Sequence, residues 1–425
     1  MEIKEIFNFY KQHYKVTTDT RSELENSIFF ALKGDNFNGN MYAKEALDKG
    51  ANFAVVDEVK YQTDDRIIFV DDVLKTLQKL ASYHRQQLNI PIIALTGSNG
   101  KTTTKELIHS VLKQKYCCVA TKGNLNNHIG VPLTLLSMKP DTEIGVVEMG
   151  ANHPNEIKEL CEIALPDYGY ITNFGKVHLE GFGDLEGVIQ AKTELYRSLN
   201  KRNKTIFVNT NDKIQVEKSK GIKRVTFGSE NSDYIIEFEN ANPFVNLNFD
   251  GINVQSKLIG KYNYLNIATA IAFGLYFKID QEKIKNAIEN YIPANNRSQL
   301  IYKESNKVIL DAYNANPNSM EAAIENLSQL EDENKIAILG DMFEIGDKTL
   351  LEHQMVANLI EKANVNRTFL IGETFSKIRI INKNIDQFKT FEEFKDQLES
   401  EKIENSTILI KASRGMALER VLDLI

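Results

Sequence analysis

Apolar and polar positions fall into three successive patterns along the chain. Through residue 88, short apolar runs at 27–32 and 53–56 are mixed with helical spacing and punctuated by Gly34, Gly39 and Gly50. Residues 75–88 place Leu77, Leu80, Ala81 and His84 on one face, which predicts an amphipathic helix ending near Asn89-Ile90-Pro91. From Ile90 the pattern becomes buried strand, loop, helix. Ile92-Ile93-Ala94-Leu95 predicts a strand, and Leu107, Ile108, Val111 and Leu112 mark one face of the helix after it. Further strands are predicted at 144–147, 168–171 and 205–208. Strands alternating with helices imply a parallel sheet covered on both faces. Residues 224–258 read instead as short alternating strands, a small β insertion, and a helix over 263–277 closes the region. After Pro293 a second α/β series begins, with strands at 308–310, 336–339, 369–371 and 407–410. Three modules are expected: 1–88, 89–292 and 293–425.

A length of 425 residues also suits about three domains at roughly 150 residues each. The apolar share of 42% and charged share of 26% are those of a globular chain, not of a disordered or fibrous one. A net charge of −7 argues against a general nucleic-acid binder, which needs a basic surface. No apolar run approaches the roughly 18 residues of a membrane span, and the charged opening Met1-Glu2-Ile3-Lys4-Glu5-Ile6 leads to the expectation of no secretory leader. Cys117, Cys118 and Cys161 suit neither a disulfide framework nor a zinc site, and read as reduced structural thiols. A cytoplasmic protein is expected.

The sharpest chemical signal is Thr96-Gly97-Ser98-Asn99-Gly100-Lys101-Thr102-Thr103, placed between a predicted strand and helix. Glycines there let backbone N–H groups approach phosphates at a helix N-terminus. Lys101 is expected to neutralise phosphate oxygens, and the Thr102 hydroxyl to ligate Mg²⁺. Leu95 stands where the usual first glycine of such a loop belongs.

Ligands of open α/β sheets sit beyond the carboxyl ends of the strands. Glu148 ends one strand and either holds Mg²⁺ or is a solvated strand end. His178, in a glycine-flanked loop, is either a second metal ligand or a surface group. Lys192 lies on a predicted helix, where periodicity alone does not single it out. Gly123-Asn124-Leu125-Asn126-Asn127-His128-Ile129-Gly130 suits either recognition of an oxygen-rich ligand or an ordinary turn. The same two readings apply to Asp311-Ala312-Tyr313-Asn314-Ala315-Asn316-Pro317. Ser413-Arg414-Gly415 could set a guanidinium against a carboxylate or phosphate.

Taken together, these stretches resemble the Mur ligases. The match runs from Asp19-Thr20-Arg21 to Lys411-Ala412-Ser413-Arg414-Gly415. It includes Glu148-Met149-Gly150-Ala151-Asn152, His178-Leu179-Glu180-Gly181-Phe182-Gly183 and Leu339-Gly340-Asp341-Met342. The resemblance implies a three-domain α/β architecture. A small α/β N-terminal domain would bind a UDP-muramoyl peptide, and a central parallel-sheet domain would bind ATP through its P-loop. A C-terminal Rossmann-like domain would close over the nucleotide and bind a dipeptide.

Within the family, the stretches favour the member joining D-alanyl-D-alanine to UDP-N-acetylmuramoyl-tripeptide through an acyl phosphate. The resemblance implies ATP and two Mg²⁺ ions, small-molecule partners only, and a monomer that engages neither nucleic acid nor membrane. It carries phosphate contact to Gly97, Ser98, Asn99, Gly100, Lys101, Thr102 and Thr103. Asn266 would lie near adenine, and Arg297 and Asp311 would reach the nucleotide from the C-terminal domain. Metal would be held by Thr102, Glu148 and His178, and by Lys192, which matches a lysine carbamylated in relatives. Lys101, Lys192 and His178 form the implied catalytic set. Substrate contact is carried to Thr20, Arg21, Ser27 and Phe29, to Asn124 and Asn127, and to Asn314, Asn316, Lys411, Ser413 and Arg414. Tyr262, Leu310 and Ala412 depart from the family pattern, which has histidine, an acidic residue and glycine there. A hinge is expected at Tyr291 to Asn296.

Two other readings follow from the same residues. One is another Mur-type or folylpolyglutamate-type carboxylate–amine ligase, against which the chain lacks an Asp-Asn-Pro-Arg-type stretch. The other is a catalytically silent nucleotide-binding scaffold, against which Lys101, Thr102, Glu148, His178 and Lys192 are all present. No Asn-Lys-x-Asp guanine signature follows the phosphate loop.

Overall fold

The computed structural model describes residues 2–294 and 296–425. Met1 and Asn295, the latter within the expected hinge, lie outside the described residues.

Three large β-sheets organise the described residues, beside a two-stranded one that pairs Lys33–Gly34 with Phe37–Asn38. The first has four parallel strands in the order Val16–Thr17, Ile28–Phe30, Phe53–Val56, Ile67–Phe69. The second has nine strands, with the buried Ile92–Thr96 between Tyr168–Ile171 and Ile144–Glu148. Its strands run parallel from Cys118–Ala120 as far as Tyr234–Ala241, and the last two, Phe244–Phe249 and Ile252–Ile259, are antiparallel. The third sheet, of six strands, has Asn306–Asp311, Thr407–Lys411 and Lys335–Gly340 at its centre.

Two expectations are corrected here. Residues 224–258 are no separate insertion: they continue the large sheet to its edge. The burial of Phe244–Phe249 alternates because only one face is covered, by the helix Asn263–Tyr276 and its neighbours. That helix does not close the module either, because Gln281–Glu289 follows it, capped by the Asp280 carboxylate. The edge strands Gln299–Lys303 and Ile385–Phe388 were not marked by the apolar pattern, since both are only partly buried.

The helix predicted at 75–88 spans Val73–Leu88 and buries Leu77, Leu80, Ala81 and His84. It ends at Asn89, which is left-handed (φ 48°), but the packing does not stop there. Ile6, Tyr10, Leu77 and Leu80 share one core with Val131, Leu135, Leu136 and Leu160 of the middle module. Tyr10 Oη donates to the Leu136 carbonyl at 2.8 Å, and His84 Nε2 bonds the Met138 carbonyl at 2.8 Å. Arg85 donates to the Ala164 and Leu165 carbonyls and pairs with Asp167 at 2.6 Å. The N-terminal and middle modules are therefore joined by a continuous apolar core. The C-terminal module meets the middle one mainly through polar groups, with Ile259 reaching the C-terminal core.

Candidate active site

The phosphate loop leaves the buried strand Ile92–Thr96 and enters the helix Lys101–Leu112. Leu95 is fully buried in that strand, so the loop begins one residue late and turns tightly at Gly97. A Cβ on Gly97 (φ 142°) would stand 2.0 Å from Thr172 Oγ1, and one on Gly100 (φ 79°) 2.5 Å from Asn266 Oδ1. Neither position accepts a side chain. Ser98 Oγ donates to the Gly175 carbonyl and accepts from the Gly175 amide. The Asn99 carbonyl accepts from Thr172 Oγ1 and Asn173 Nδ2. The loop is thus fixed before any ligand arrives.

Lys101 Nζ donates to the Gly97 and Ser98 carbonyls at 2.8 and 3.0 Å, curling over its own loop. Burial pushes its pKa down to about 8, opposed by the charge of Glu148. Glu148 is buried rather than solvated, so the strand-end alternative is set aside. Its Oε1 accepts from Asn126 Nδ2 at 2.8 Å and Thr102 Oγ1 at 3.3 Å. Its Oε2 is buried without a hydrogen-bond partner, 3.8 Å from Lys105 Nζ. A buried carboxylate oxygen left unpaired beside a threonine hydroxyl is the chemistry of a hard-cation site.

These groups open onto a cavity of about 840 Å³ between the middle and C-terminal modules. Ser98, Asn99, Gly100, Lys101, Thr102 and Thr103 line it, with Glu148, Asn124, Asn127, His178 and Asn266. From the other side it is lined by Arg297, Asp311, Asn314, Asn316, Lys411 and Arg414. Asn266 accepts from Thr104 Oγ1 and donates to Asn263, bracing the loop at Gly100. The Arg297 guanidinium stacks 3.7 Å over the Tyr313 ring. Asp311 accepts from the Ser298 amide at 3.1 Å and pairs with Lys411 at 2.6 Å. Asn127 accepts from the Ile129 and Gly130 amides and so shapes its own turn, whereas Asn316 accepts from the Ser319 amide and caps its helix.

Other expected site residues lie outside the cavity or are held by neighbouring groups at its edge. Ser27 and Phe29 are buried in the N-terminal core, where Ser27 Oγ donates to the Leu24 carbonyl. Their side chains are packed into that core. Thr20 and Arg21 are accessible, with Arg21 paired to Asp19 at 2.8 Å. Ser413 is buried and accepts from the Phe343 amide, shaping the loop rather than facing the cavity. Lys411, on the cavity wall, donates to Asp311 and to the Asn314 carbonyl. Arg414 pairs with Glu419 at 2.7 Å.

His178 sits in left-handed backbone (φ 49°), and its Nδ1 stands 2.6 Å from Glu344 Oε2 of the C-terminal module, close but outside hydrogen-bond alignment. Burial and Lys101 lower its pKa, while Glu344 acts the other way. Lys192 is buried behind the cavity wall, donating to the Ala151 carbonyl at 3.1 Å and facing the Phe182 ring. Burial, then Lys101, pushes its pKa down to about 7. No three His, Cys, Asp or Glu groups converge among the described residues.

Sequence reasoning missed Asn126, Lys105, Glu344 and the ion pair of Lys176 with Glu352 at 3.0 Å. Asn126 carried a signal only as one of three amides in its stretch, and Lys105 by standing one helical turn after Lys101 and so on the same face.

Residues 95–274 match the Mur ligase middle domain, and residues 296–414 match the Mur ligase glutamate ligase domain. The UDP-N-acetylmuramoyl-tripeptide--D-alanyl-D-alanine ligase of Bacillus subtilis (strain 168) is 36% identical over 424 residues, covering 96% of this chain and 93% of that protein. The chain belongs to the Mur ligase family. The ligase of the same name from Escherichia coli (strain K12) is 32% identical, covering 96% of this Mur ligase and 92% of its own length. Among solved structures, MurF from Acinetobacter baumannii superposes with a TM-score of 0.87 at 30% identity, covering 96% of this chain and 93% of its own. MurF from Thermotoga maritima, solved in complex with ADP, gives 0.84 at 27% identity, covering 96% of each chain. No helix among the described residues of this Mur ligase is long and apolar enough to cross a membrane.

Proposed function

We propose that this Mur ligase joins D-alanyl-D-alanine to UDP-N-acetylmuramoyl-tripeptide, converting ATP to ADP and phosphate. The observation that carries this reading is one cavity walled on one side by Lys101 and Glu148 and on the other by Arg297 and Asp311. Relatives bearing that activity match the chain over nearly its full length.

A carboxylate is a poor electrophile, so it must first gain a leaving group. A tripeptide carboxylate oxygen attacks the γ-phosphorus of ATP, the bond to ADP breaks, and an acyl phosphate results. The dipeptide amine, as its neutral form, attacks the acyl carbon. The tetrahedral intermediate then collapses, leaving an amide and expelling phosphate, which departs as hydrogen phosphate with the proton the amine gives up.

Lys101 and the loop amides from Gly97 to Thr103 receive the phosphates, and Lys101 follows the charge that moves through the transfer. Asn266 lies on the adenine side, with Arg297 and Asp311 reaching the nucleotide from the opposite wall. Mg²⁺ would be held by Thr102 and Glu148 at one position and by His178 at a second, where it would neutralise phosphate charge. The unpaired Glu148 Oε2 supports this fit. Lys192, with about half of its amine neutral near pH 7, is suited to add CO₂ and release a proton, giving a carbamate that would serve as a further oxygen ligand. Asn124 and Asn127 face the muramoyl peptide, Thr20 and Arg21 its uridine end, and Asn314 and Arg414 the dipeptide. Residues 1–88, 89–292 and 293–425 act as the muramoyl-peptide, ATP and closing modules of a monomer.

The test is phosphate release with Mg-ATP, UDP-muramoyl-tripeptide and D-alanyl-D-alanine, omitting one component at a time. Release should require all three. Release that persists without the dipeptide, or that glutamate supports in its place, would favour a different ligase of the superfamily.

A further inference from the structure

Both members of the His178–Glu344 contact occupy left-handed backbone, at φ 49° and 61°, although neither is glycine. Such conformations persist only where surrounding structure enforces them. Around Glu344 that structure is plain. The Asp341 carboxylate accepts from the Thr374 and Phe375 amides, both at 2.9 Å. The Met342 amide donates to His353 Nε2 at 3.0 Å, and the Phe343 amide donates to Ser413 Oγ at 2.9 Å. The residue after these three clamps is Glu344, and its side chain crosses to the middle module. Gly346 (φ 70°) then lies against the backbone of Glu180, two residues beyond His178. The two loops are shaped to meet.

Both residues line the large cavity, and Glu344 Oε2 stands 2.6 Å from His178 Nδ1, a buried nitrogen with no hydrogen-bond partner of its own. A histidine that turns Nδ1–H toward a carboxylate keeps the lone pair on Nε2, which is how outer carboxylates orient metal-binding imidazoles. We propose that Glu344 is a positioning residue, carried in by the C-terminal module, that fixes the His178 ring with Nε2 ready to ligate. The second metal position is then complete only when the modules are together. This inference rests on the reading of His178 as a metal ligand.

Mn²⁺ binding to the full-length protein, with a non-hydrolysable ATP analogue present, can be followed by electron paramagnetic resonance. Glu344→Ala should weaken the second Mn²⁺ roughly 10- to 100-fold. Glu344→Gln, whose carbonyl can accept from Nδ1–H once the ring turns toward it, should restore most of that loss. Nitrogen-15 spectra of the histidine rings, assigned with His178→Ala, should show the Nδ1–H form giving way in Glu344→Ala but not in Glu344→Gln. Lys176→Ala breaks a different inter-module pair without touching His178, and should leave the second Mn²⁺ in place. If it loses the ion as fully as Glu344→Ala does, the effect is closure alone and positioning is overturned. If Glu344→Ala binds like the parent while His178→Ala loses the ion, His178 is a ligand and the role of Glu344 falls. If His178→Ala also binds normally, the ligand reading fails, and this inference with it.

Discussion

Asn99, in the phosphate loop, and Asn316, at the start of a C-terminal helix, pair their amides across the two modules, with Asn316 Nδ2 donating to Asn99 Oδ1 at 2.7 Å. Asn316 simultaneously caps its own helix through Oδ1. The residue that starts the helix is therefore the residue that touches the loop.

Removing Asn99 tests this pair without disturbing the cap. One hydrogen bond contributes about 1 kcal/mol, so Asn99→Ala should lower kcat/KM for ATP roughly fivefold at unchanged Tm. Asn316→Ala should lower both, because the cap is lost as well. The double variant should be no less active than Asn316→Ala alone, since both remove one shared contact. Steady-state kinetics and thermal melts read all three.

Lys101→Ala should slow phosphate release by about three orders of magnitude, as expected when a buried positive charge aimed at transferring phosphate is deleted. Single-turnover measurement with all substrates present is the check. Turnover that survives the change would remove the phosphate loop from the reaction.

Lys192 predicts two pH effects. Its pKa is about 7 in the folded chain, against 10.5 for an ordinary lysine. As pH falls through 7 the amine gains a proton and no longer adds CO₂, so activity should drop, and drop further in CO₂-free buffer. Between pH 7 and 10.5 the unfolded chain binds a proton that the folded chain lacks, so this group makes stability climb with pH across that window. Lys192→Met should abolish activity and flatten this part of the curve of Tm against pH.

Much of this was legible from residue order. Glycines before Gly100-Lys101-Thr102, between a β-rich apolar run and a helical one, leave few alternatives. Glu148 was legible as a strand-end acid, yet only packing shows that one of its oxygens is buried and unpaired. Asn126 could not be separated from Asn124 and Asn127, because three neighbouring amides differ only in what the fold puts opposite them. Ser27 and Phe29 show the converse: a motif names a stretch, whereas burial decides which side chains of a strand reach solvent. Glu344 and His178 belong to loops of different sheets, and no local pattern links them.

The continuous core between the first two modules makes a separate prediction. Leu80→Ala, at a fully buried position in it, should cost about 2–5 kcal/mol and shift the unfolding of both modules together. Calorimetry that shows the N-terminal module melting alone would contradict a common core.

Small-angle scattering addresses the seam on the other side. An ATP analogue together with muramoyl peptide should change the profile as the C-terminal module settles. Identical curves with and without ligands would argue against a hinge near Tyr291 and Asn296.

With one joint sealed by hydrocarbon and the other fastened by amides and charges, the molecule can open along a single line. A compound gripping Asn99 with one end and Asn316 with the other would bolt the door from inside, and would need no resemblance to a nucleotide or a peptide to do so.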